Sequence, residues 1–353
     1  MRIFGGLIFL IILYFSHIFV IYTNQFIFKE KMKSFCYVLP LIIFISYIIL
    51  LFSSKAISES TYSIVFISLG LYLGYLFYIF HICLILHLIN IIYSLSFTVN
   101  AIIMYIIPLI ICIYGVMHAL KTKVESITLK YPGFQDEVKI LHLSDIHLGA
   151  IHQKNSVIRI VQETQQLDPD IVVITGDLAD GTLKVKPEWL APFDDLNMPV
   201  LYVTGNHEEM NPKVDMINAV ETTQMKYIGR HETFKFRGIN FIGEDFGYDL
   251  RKNLHDVKQE EGVPNVLLSH VPNLDPEELK KYNIFLFLAG HTHGGQVFPF
   301  HILVYLANAC FSGLYSDKEK KHFVYVTDGV NNSVMPMRVG SNRVFPIITI
   351  KGE

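Results

Sequence analysis

Charged residues and cysteines are scarce in this chain. Only 17% of its 353 residues are Asp, Glu, Lys or Arg, whereas 51% are apolar, and soluble domains usually carry about 25% charged residues. The four cysteines form no CxxC pair, and Cys36, Cys83 and Cys112 fall inside apolar runs. Neither a disulfide framework nor a thiolate metal site is therefore indicated. A net charge of −3 without a basic stripe argues against a nucleic-acid partner.

The apolar residues are concentrated before residue 120, where long apolar runs alternate with short polar breaks. About 20 apolar residues are needed for a helix to cross a bilayer. The first run lacks a small-residue cleavage site and is longer than the apolar core of a signal peptide. We therefore predict a transmembrane region over residues 1–120 with four helices, at about 3–22, 35–52, 63–94 and 101–120.

Four histidines lie in or at the ends of these runs: His17, His81, His87 and His118. An ionisable group at membrane depth is by default a functional candidate. However, His81 and His87 are six residues apart, which places them on different faces of a helix. We expect neutral packing histidines, not a channel or a proton relay.

From residue 124 onward, short apolar strands alternate with polar helical segments, a pattern typical of a layered α/β fold. Five predicted strands each end in side chains of the metal-binding type. In chain order these side chains are Asp145 and His147, Asp177 and Asp180, Asn206 and His207, His270, and His291 and His293. Because the carboxyl ends of strands in open α/β sheets meet at one crevice, we expect one shared site.

The side-chain chemistry of these motifs indicates a pair of metal ions. Carboxylate, amide and imidazole ligands without thiolates suit divalent Mn, Fe, Co or Zn. A shared carboxylate can hold two such ions about 3.5–4 Å apart, where they clamp a phosphate oxygen and acidify a water for attack on phosphorus. One motif alone is as well explained by a turn, but five in this order predict a two-metal phosphoesterase.

The motifs resemble those of the calcineurin-like metallophosphoesterases over roughly residues 124–351. They are Asp145-x-His147, Gly176-Asp177-x-x-Asp180, Gly205-Asn206-His207-Glu208, His270 and Gly290-His291-x-His293. The segments 269–272, 312–315 and 337–340 are similar to the membrane-associated bacterial branch of that superfamily. The resemblance implies an α/β four-layer sandwich, with two β-sheets flanked by helices, over residues 124–353.

The resemblance also implies a role for each site residue. One ion, manganese in the first instance, would be held by Asp145, His147, Asp177 and His293, and the second by Asp177, Asn206, His270 and His291. His207 would be the catalytic histidine, stabilising the phosphate or protonating the leaving oxygen, with Asp180 as the partner that orients its ring. Gly181 stands where the protein serine/threonine phosphatases carry an Arg, so phosphoprotein substrates are not expected.

The membrane region favours a lipid-linked phosphate or diphosphate as the substrate, because a soluble nucleotide requires no anchor. The closest functional analogy is with the UDP-2,3-diacylglucosamine diphosphatases of lipid A biosynthesis. The alternatives are a phosphodiesterase or phosphatase acting on another phospholipid, an isoprenoid diphosphate or a cyclic nucleotide. A membrane sensor or transporter with a phosphoesterase output domain is a further alternative.

Basic residues near the helix ends bear on orientation. With four crossings, one side of the membrane carries Arg2, Lys55, Lys121 and Lys123, and the other carries Lys29, Lys31 and Lys33. Because basic residues mark the cytoplasmic side, the count favours a multi-pass protein of the bacterial cytoplasmic membrane with its catalytic domain in the cytoplasm.

The run from Val297 to Phe311 is unusually apolar for a segment that follows a polar metal motif. It could form a core helix under the sheet, or a wall that accepts an acyl chain beside the metals.

Overall fold

The structure is a computed structural model that describes residues 2–30, 35–53, 56–210, 213–254 and 260–353. Lys31, Lys33 and Lys55 of the orientation count lie outside these residues. The chain divides into two compact units. One unit contains the residues up to Met117 together with Val334–Met337, and the other contains His118–Ser333 and Arg338–Glu353.

The first unit consists of apolar helices. They are α1 (Arg2–Phe28), α2 (Phe35–Ser53), α3 (Glu59–Ile92), α4 (Phe97–Ala101) and α5 (Ile107–Ala119), with a π-helical turn, Ile102–Ile106, between the last two. Leu13 of α1 packs against Leu73, Leu76 and Cys83 of α3. Three stretches of the described chain are long and apolar enough to cross a membrane: Ile11–Phe28, Glu59–Ile92 and Phe97–Ala119.

The four predicted transmembrane helices are therefore supported in part. The third is a single helix of 34 residues, as expected. It begins before the apolar run because the Ser58 side chain accepts a hydrogen bond from the Thr61 amide and caps the helix. A helix, α2, also occupies the second predicted position, and its crossing of the membrane stays a prediction.

His17, His81 and His87 contact other residues of the helical unit. His17 Nδ1 donates to the Leu13 carbonyl at 2.7 Å, and His81 Nδ1 donates to the Phe77 carbonyl at the same distance. The His87 ring packs on Phe26, with 4.4 Å between the ring centroids. These contacts fit the expectation of packing histidines.

The second unit contains two six-stranded mixed sheets. Their strands are β1 (Thr122–Lys130), β2 (Glu137–Leu143), β3 (Ile171–Thr175), β4 (Val200–Val203), β5 (Lys226–Tyr227), β6 (Thr233–Phe236), β7 (Ile239–Gly243), β8 (Asn265–Leu268), β9 (Leu286–Ala289), β10 (Gly313–Ser316), β11 (Phe323–Val326) and β12 (Arg343–Lys351). The first sheet has the order β1-β12-β2-β3-β4-β5, and the second has the order β10-β11-β9-β8-β7-β6. In the first sheet, β2 to β5 run parallel. In the second, β7, β8, β9 and β11 do.

Helices cover the outer faces of the two sheets. They are α6 (Lys154–Leu167), α7 (Pro187–Leu190), α8 (Lys213–Glu221), α9 (Leu250–Asn253) and α10 (Pro276–Leu279). A further helix, α11 (His301–Ala307), follows the last metal motif and has no buried residue. The inner faces share one core, in which Ile140 and Val173 of the first sheet lie with Phe241 and Leu288 of the second. Every residue of β3 is buried, as expected for a parallel strand covered on both faces. Two mixed sheets flanked by helices fit the predicted sandwich.

The exposure of the apolar run from Val297 to Phe311 contradicts one of the two interpretations of its sequence. Only His301–Ala307 is helical, and none of these residues is buried. Val297 and Cys310, near the two ends of the run, are buried at 2% and 1% exposure. The interpretation as a core helix under the sheet is therefore wrong for the middle of the run.

Candidate metal centre

The five predicted strand ends converge. Asp145 and His147 follow β2, Asp177 follows β3, and the remaining motifs follow β4, β8 and β9. Main-chain hydrogen bonds tie the first two loops together, from the Asp145 amide to the Gly176 carbonyl at 3.1 Å and from the His147 amide to the Asp177 carbonyl at 2.9 Å. The carboxyl ends of parallel strands thus bring both loops to one edge of the sheet.

One group of donor atoms surrounds Asp145. Its Oδ1 lies 3.3 Å from His293 Nε2 and 3.8 Å from His147 Nε2. The two imidazole nitrogens are 3.0 Å apart. Asp145 Oδ1 is buried and, within the described residues, accepts no hydrogen bond. A buried carboxylate oxygen facing two imidazole nitrogens is a donor set that fits a divalent cation.

A second group surrounds His270. Its Nε2 lies 3.1 Å from Asp177 Oδ2 and 3.1 Å from Asn206 Oδ1, and His291 Nδ1 lies 2.9 Å from the same Asn206 oxygen. On the other side of the ring, His270 Nδ1 donates to the Thr175 carbonyl at 2.8 Å. That bond places a proton on Nδ1, so Nε2 is the nitrogen that faces the oxygens of Asp177 and Asn206.

Asp177 lies between the two groups. Its Oδ2 is 3.8 Å from His147 Nε2 and 3.1 Å from His270 Nε2. Its Oδ1 accepts the His207 amide at 2.9 Å, which holds the carboxylate in place. Clusters of possible metal ligands include Asp145, His147 and His293 in one place and Asp145, Asp177 and His270 in another. The arrangement fits two divalent ions with Asp177 as the shared ligand.

Burial sets the protonation of most of these groups. It lowers the pKa of His147 and His293 well below their usual value, and that of His291 to about 4. These three imidazoles are therefore neutral at neutral pH, the form that binds metal. Burial also raises the pKa of Asp145 to about 6. For Asp177, burial is opposed by the neighbouring histidines, chiefly His270, and the net effect lowers its pKa.

Five candidate ligands have a left-handed backbone: Asp145, His147, Asp177, His291 and His293, with φ between 50° and 71°. Such residues are rare outside glycine and cluster at functional sites, where the surrounding structure holds them. Gly290 allows the loops to approach each other, because a Cβ there would lie 2.5 Å from Asp145 Oδ2. The left-handed backbone of these five residues and the absence of a side chain at Gly290 thus allow the ligand loops to pack closely.

His207 lies at the edge of this cluster. Its ring centroid is 4.7 Å from that of His147, its Nε2 is 3.9 Å from Asp177 Oδ2, and its side chain is 18% exposed. His207 Nδ1 donates to the main-chain carbonyl of Asp180 at 2.8 Å. The proton is therefore fixed on Nδ1, and Nε2 faces the site.

The orienting contact predicted for the Asp180 carboxylate comes instead from the Asp180 main chain. The carboxylate accepts hydrogen bonds from the Thr182 amide at 2.7 Å and the Thr182 hydroxyl at 2.6 Å. It also accepts the Ala150 amide at 3.2 Å. The side chain closes its own turn, which is the usual local behaviour of Asp, and the turn presents the carbonyl to His207.

Glu208 supports the site but received no role in the sequence analysis. Its buried carboxylate accepts three main-chain amides, from Gly205 at 2.6 Å, Ala179 at 2.8 Å and Asp177 at 3.1 Å. Burial, reinforced by the Asp177 charge, raises the pKa of Glu208 to about 7. The side chain joins the loops after β3 and β4. Its place directly after His207 in the Gly-Asn-His-Glu motif was the available signal.

Arg338 is a second supporting residue that the sequence analysis did not assign. It is fully buried at 0% exposure. Its guanidinium donates to the carbonyls of His293 at 3.2 Å, Asp328 at 2.8 Å and Asn331 at 2.6 Å. The Asn331 amide in turn donates to the Asp145 carbonyl at 3.1 Å. Arg338 thus connects the loops that carry His293 and Asp145.

Comparison with known proteins agrees with this geometry. Residues 138–295 match the family described as calcineurin-like phosphoesterase. A Caenorhabditis elegans protein assigned as a metallophosphoesterase is 36% identical over 223 residues, 57% of this chain and 46% of that protein. An uncharacterized metallophosphoesterase of Helicobacter pylori is 32% identical over 229 residues, 62% of this chain and 61% of its own length.

A third relative combines such a domain with a membrane region. The Bos taurus transmembrane protein with metallophosphoesterase domain is 32% identical over 260 residues, 66% of this chain and 58% of that protein. The chain spans between 46% and 61% of the length of these three relatives. The side chains of both donor groups lie within the matched residues 138–295. Residues 138–295 are therefore similar to the calcineurin-like phosphoesterases.

Proposed function

We propose that this chain is a membrane-anchored hydrolase that uses two divalent ions to cleave a phosphodiester or diphosphate bond in a lipid-linked substrate. The observation that carries the proposal is Asp177, whose carboxylate lies within 4 Å of imidazoles from both donor groups. When bound, the two ions would polarise the phosphoryl group and supply an acidified water. Manganese is the first ion to test, with iron, zinc and cobalt as alternatives.

The chain's own residues orient the reaction. Asp145, His147, Asp177 and His293 would hold one ion, and Asp177, Asn206, His270 and His291 the other. His207, fixed through Nδ1 to the Asp180 carbonyl, presents Nε2 at the partly exposed edge of the site. In its protonated form it would stabilise the phosphate or donate the Nε2 proton to the leaving oxygen.

The membrane region supports a lipid-linked substrate. Three apolar helices are long enough to span a bilayer, and they would keep the site near phosphate groups carried by lipids. The best specific candidate is UDP-2,3-diacylglucosamine. Water would attack one phosphorus and break the bridging P–O bond, giving UMP and 2,3-diacylglucosamine 1-phosphate. The reaction would belong to lipid A biosynthesis in a bacterial cytoplasmic membrane, with the catalytic domain on the cytoplasmic side.

Detergent-solubilised full-length protein tests the substrate. UMP release from UDP-2,3-diacylglucosamine with added Mn²⁺ is measured, with Asp177→Asn as the inactive reference. UMP release that requires Mn²⁺ and is absent from the variant supports the proposal. Hydrolysis of a chromogenic phosphodiester without UMP release rejects this substrate and keeps the two-metal chemistry. Hydrolysis of neither contradicts both.

A further inference from the structure

The apolar segment from Phe298 to Leu306 is an exposed surface of the phosphoesterase unit that the proposed metal site does not explain. Six of its large side chains are between 46% and 74% exposed: Phe298, Phe300, Ile302, Leu303, Tyr305 and Leu306. Together they expose on the order of 600 Å² of mostly apolar surface, at the upper end of what monomeric soluble proteins show. An apolar surface of this size indicates a partner.

The composition of the segment favours lipid over another protein as the partner. Residues 297–307 contain no Asp, Glu, Lys or Arg, so the surface lacks the charged groups that usually fix the register of a protein partner. Three of the six side chains are aromatic, and one of these is Tyr. Aromatic and aliphatic side chains without charge suit the boundary between lipid headgroups and acyl chains.

The linker between the last candidate membrane span and the phosphoesterase unit is short. The last candidate span ends at Ala119 and strand β1 begins at Thr122. Three residues of chain extend over at most about 11 Å. A short linker therefore joins the phosphoesterase unit to the candidate span Phe97–Ala119, so a bilayer crossed by that span is an apolar phase to which the segment has access.

The segment is also bound to the metal loop. Phe298 follows His293 by five residues, which limits their Cα separation to about 18 Å. Gly295 lies against the first residue of α11, where a Cβ would come within 2.6 Å of His301 Cα. The Phe298 amide donates to the Val339 carbonyl at 2.8 Å, and the Val339 amide donates to the Gln296 carbonyl at 2.9 Å. Main-chain hydrogen bonds and close packing thus hold the segment against the loop that carries His293.

We propose that Phe298–Leu306 is a membrane-insertion element that seats in the lipid interface beside the metal centre. The six exposed side chains enter the headgroup and upper acyl region of the bilayer. The element would hold the loop that carries His293 close to the bilayer, so that a phosphate carried by a lipid could reach the site without leaving the membrane. This last consequence rests on the proposed function, whereas the insertion itself does not.

Fluorescence of full-length protein in phosphatidylcholine vesicles tests the insertion. Trp189 is the only native tryptophan and is buried, so it is replaced by Phe, and Leu306→Trp supplies the reporter. Quenching by phosphatidylcholine brominated near the headgroup end of its acyl chains reports lipid contact, and quenching by iodide reports water contact. We expect brominated lipid to lower the emission about twofold or more and iodide to have little effect.

The matched control is Tyr248→Trp in the same background, because Tyr248 is 49% exposed and lies next to Lys213. That reporter is expected to respond to iodide and not to brominated lipid. Leu303→Trp repeats the test if Leu306→Trp lowers the melting temperature. A reporter quenched by iodide alone overturns the proposal. So does one shielded from both quenchers, which would indicate a second copy of the chain on this surface. The measurement needs no substrate, so failure of the proposed activity leaves its outcome intact.

Discussion

Replacing Glu208 by Gln removes the clamp between two ligand loops. In the native site, one carboxylate oxygen accepts the amides of Asp177 and Gly205, and the other accepts the amide of Ala179. The carboxamide of Gln has only one acceptor oxygen, so its NH₂ group must face one or two of these amides. Each buried donor left without an acceptor costs about 1–3 kcal/mol. We therefore expect a loss of roughly 1–6 kcal/mol in the free energy of unfolding.

Thermal unfolding of the solubilised protein measures this loss at a pH above the Glu208 pKa of about 7, where the carboxylate is ionised, and the loss corresponds to a fall of roughly 2–20 °C in Tm. Because Asp177 and Asn206 lie on the loops that the clamp joins, Mn²⁺ affinity should also fall about 10- to 100-fold. Glu209→Gln is the matched control, since its side chain is 38% exposed and a surface change should stay within about 0.5 kcal/mol. If Glu208→Gln had the same Tm and the same Mn²⁺ affinity as the control variant, Glu208 would not hold the two ligand loops together.

Three further predictions concern other parts of the phosphoesterase unit. Arg338→Met should lower the free energy of unfolding by about 3–5 kcal/mol, because buried carbonyls lose their donor. Arg338→Lys should recover part of this free energy. Equal Tm values for both variants and the native protein would contradict a stabilising role of the Arg338 hydrogen bonds. Gly290→Ala should weaken Mn²⁺ binding more than tenfold, because its Cβ would lie 2.5 Å from Asp145 Oδ2. Gly313→Ala has nothing within 4 Å of its Cβ but a φ of 83°, so it should lose some stability and still bind Mn²⁺ normally in the same titration. Burial lowers the pKa of His142 to about 3, so only the unfolded state takes up a proton on His142 as the pH falls below about 6.5. The free energy of unfolding should therefore drop by up to about 1.4 kcal/mol per pH unit. Between pH 6.5 and 5, His142→Gln should lose about 2 kcal/mol less than the native protein, and identical slopes of stability against pH would contradict this.

The ligand cluster was predictable because it follows from a local rule. A polar residue directly after an apolar strand, such as Asp177 or Asn206, needs only the direction of its strand to be placed at the site. His207 was placed in the same way, through its position after β4. Strand ends and residue types together thus predicted which side chains converge, and their role as metal ligands stays a prediction.

The supporting contacts were not predictable by the same rule. Glu208 accepts amides about 30 residues earlier in the chain, and Arg338 donates to a carbonyl 45 residues away. Such contacts depend on the packing of loops from different strands, which no local pattern encodes. The Asp180 contact illustrates the same limit, because a main-chain carbonyl carries the bond expected of the side chain.

The segment from Phe298 to Leu306 shows a different limit of sequence patterns. Burial in a protein core and contact with lipid both select apolar side chains, so composition alone left two interpretations open. The exposure of these side chains rejects the core helix. What distinguishes a core helix from a membrane contact is the presence of a covering layer, and this is a tertiary property.

The central claim is that one carboxylate, Asp177, serves two metal ions in a hydrolytic site. Metal content of the purified full-length protein after Mn²⁺ loading and gel filtration, measured together with phosphodiester hydrolysis, tests it most directly. We predict two ions per native chain and loss of both ions together with activity in Asp177→Asn. His207→Ala should keep both ions and lower turnover about 10²- to 10⁴-fold. An Asp177→Asn protein that retains two ions and native turnover would contradict the account.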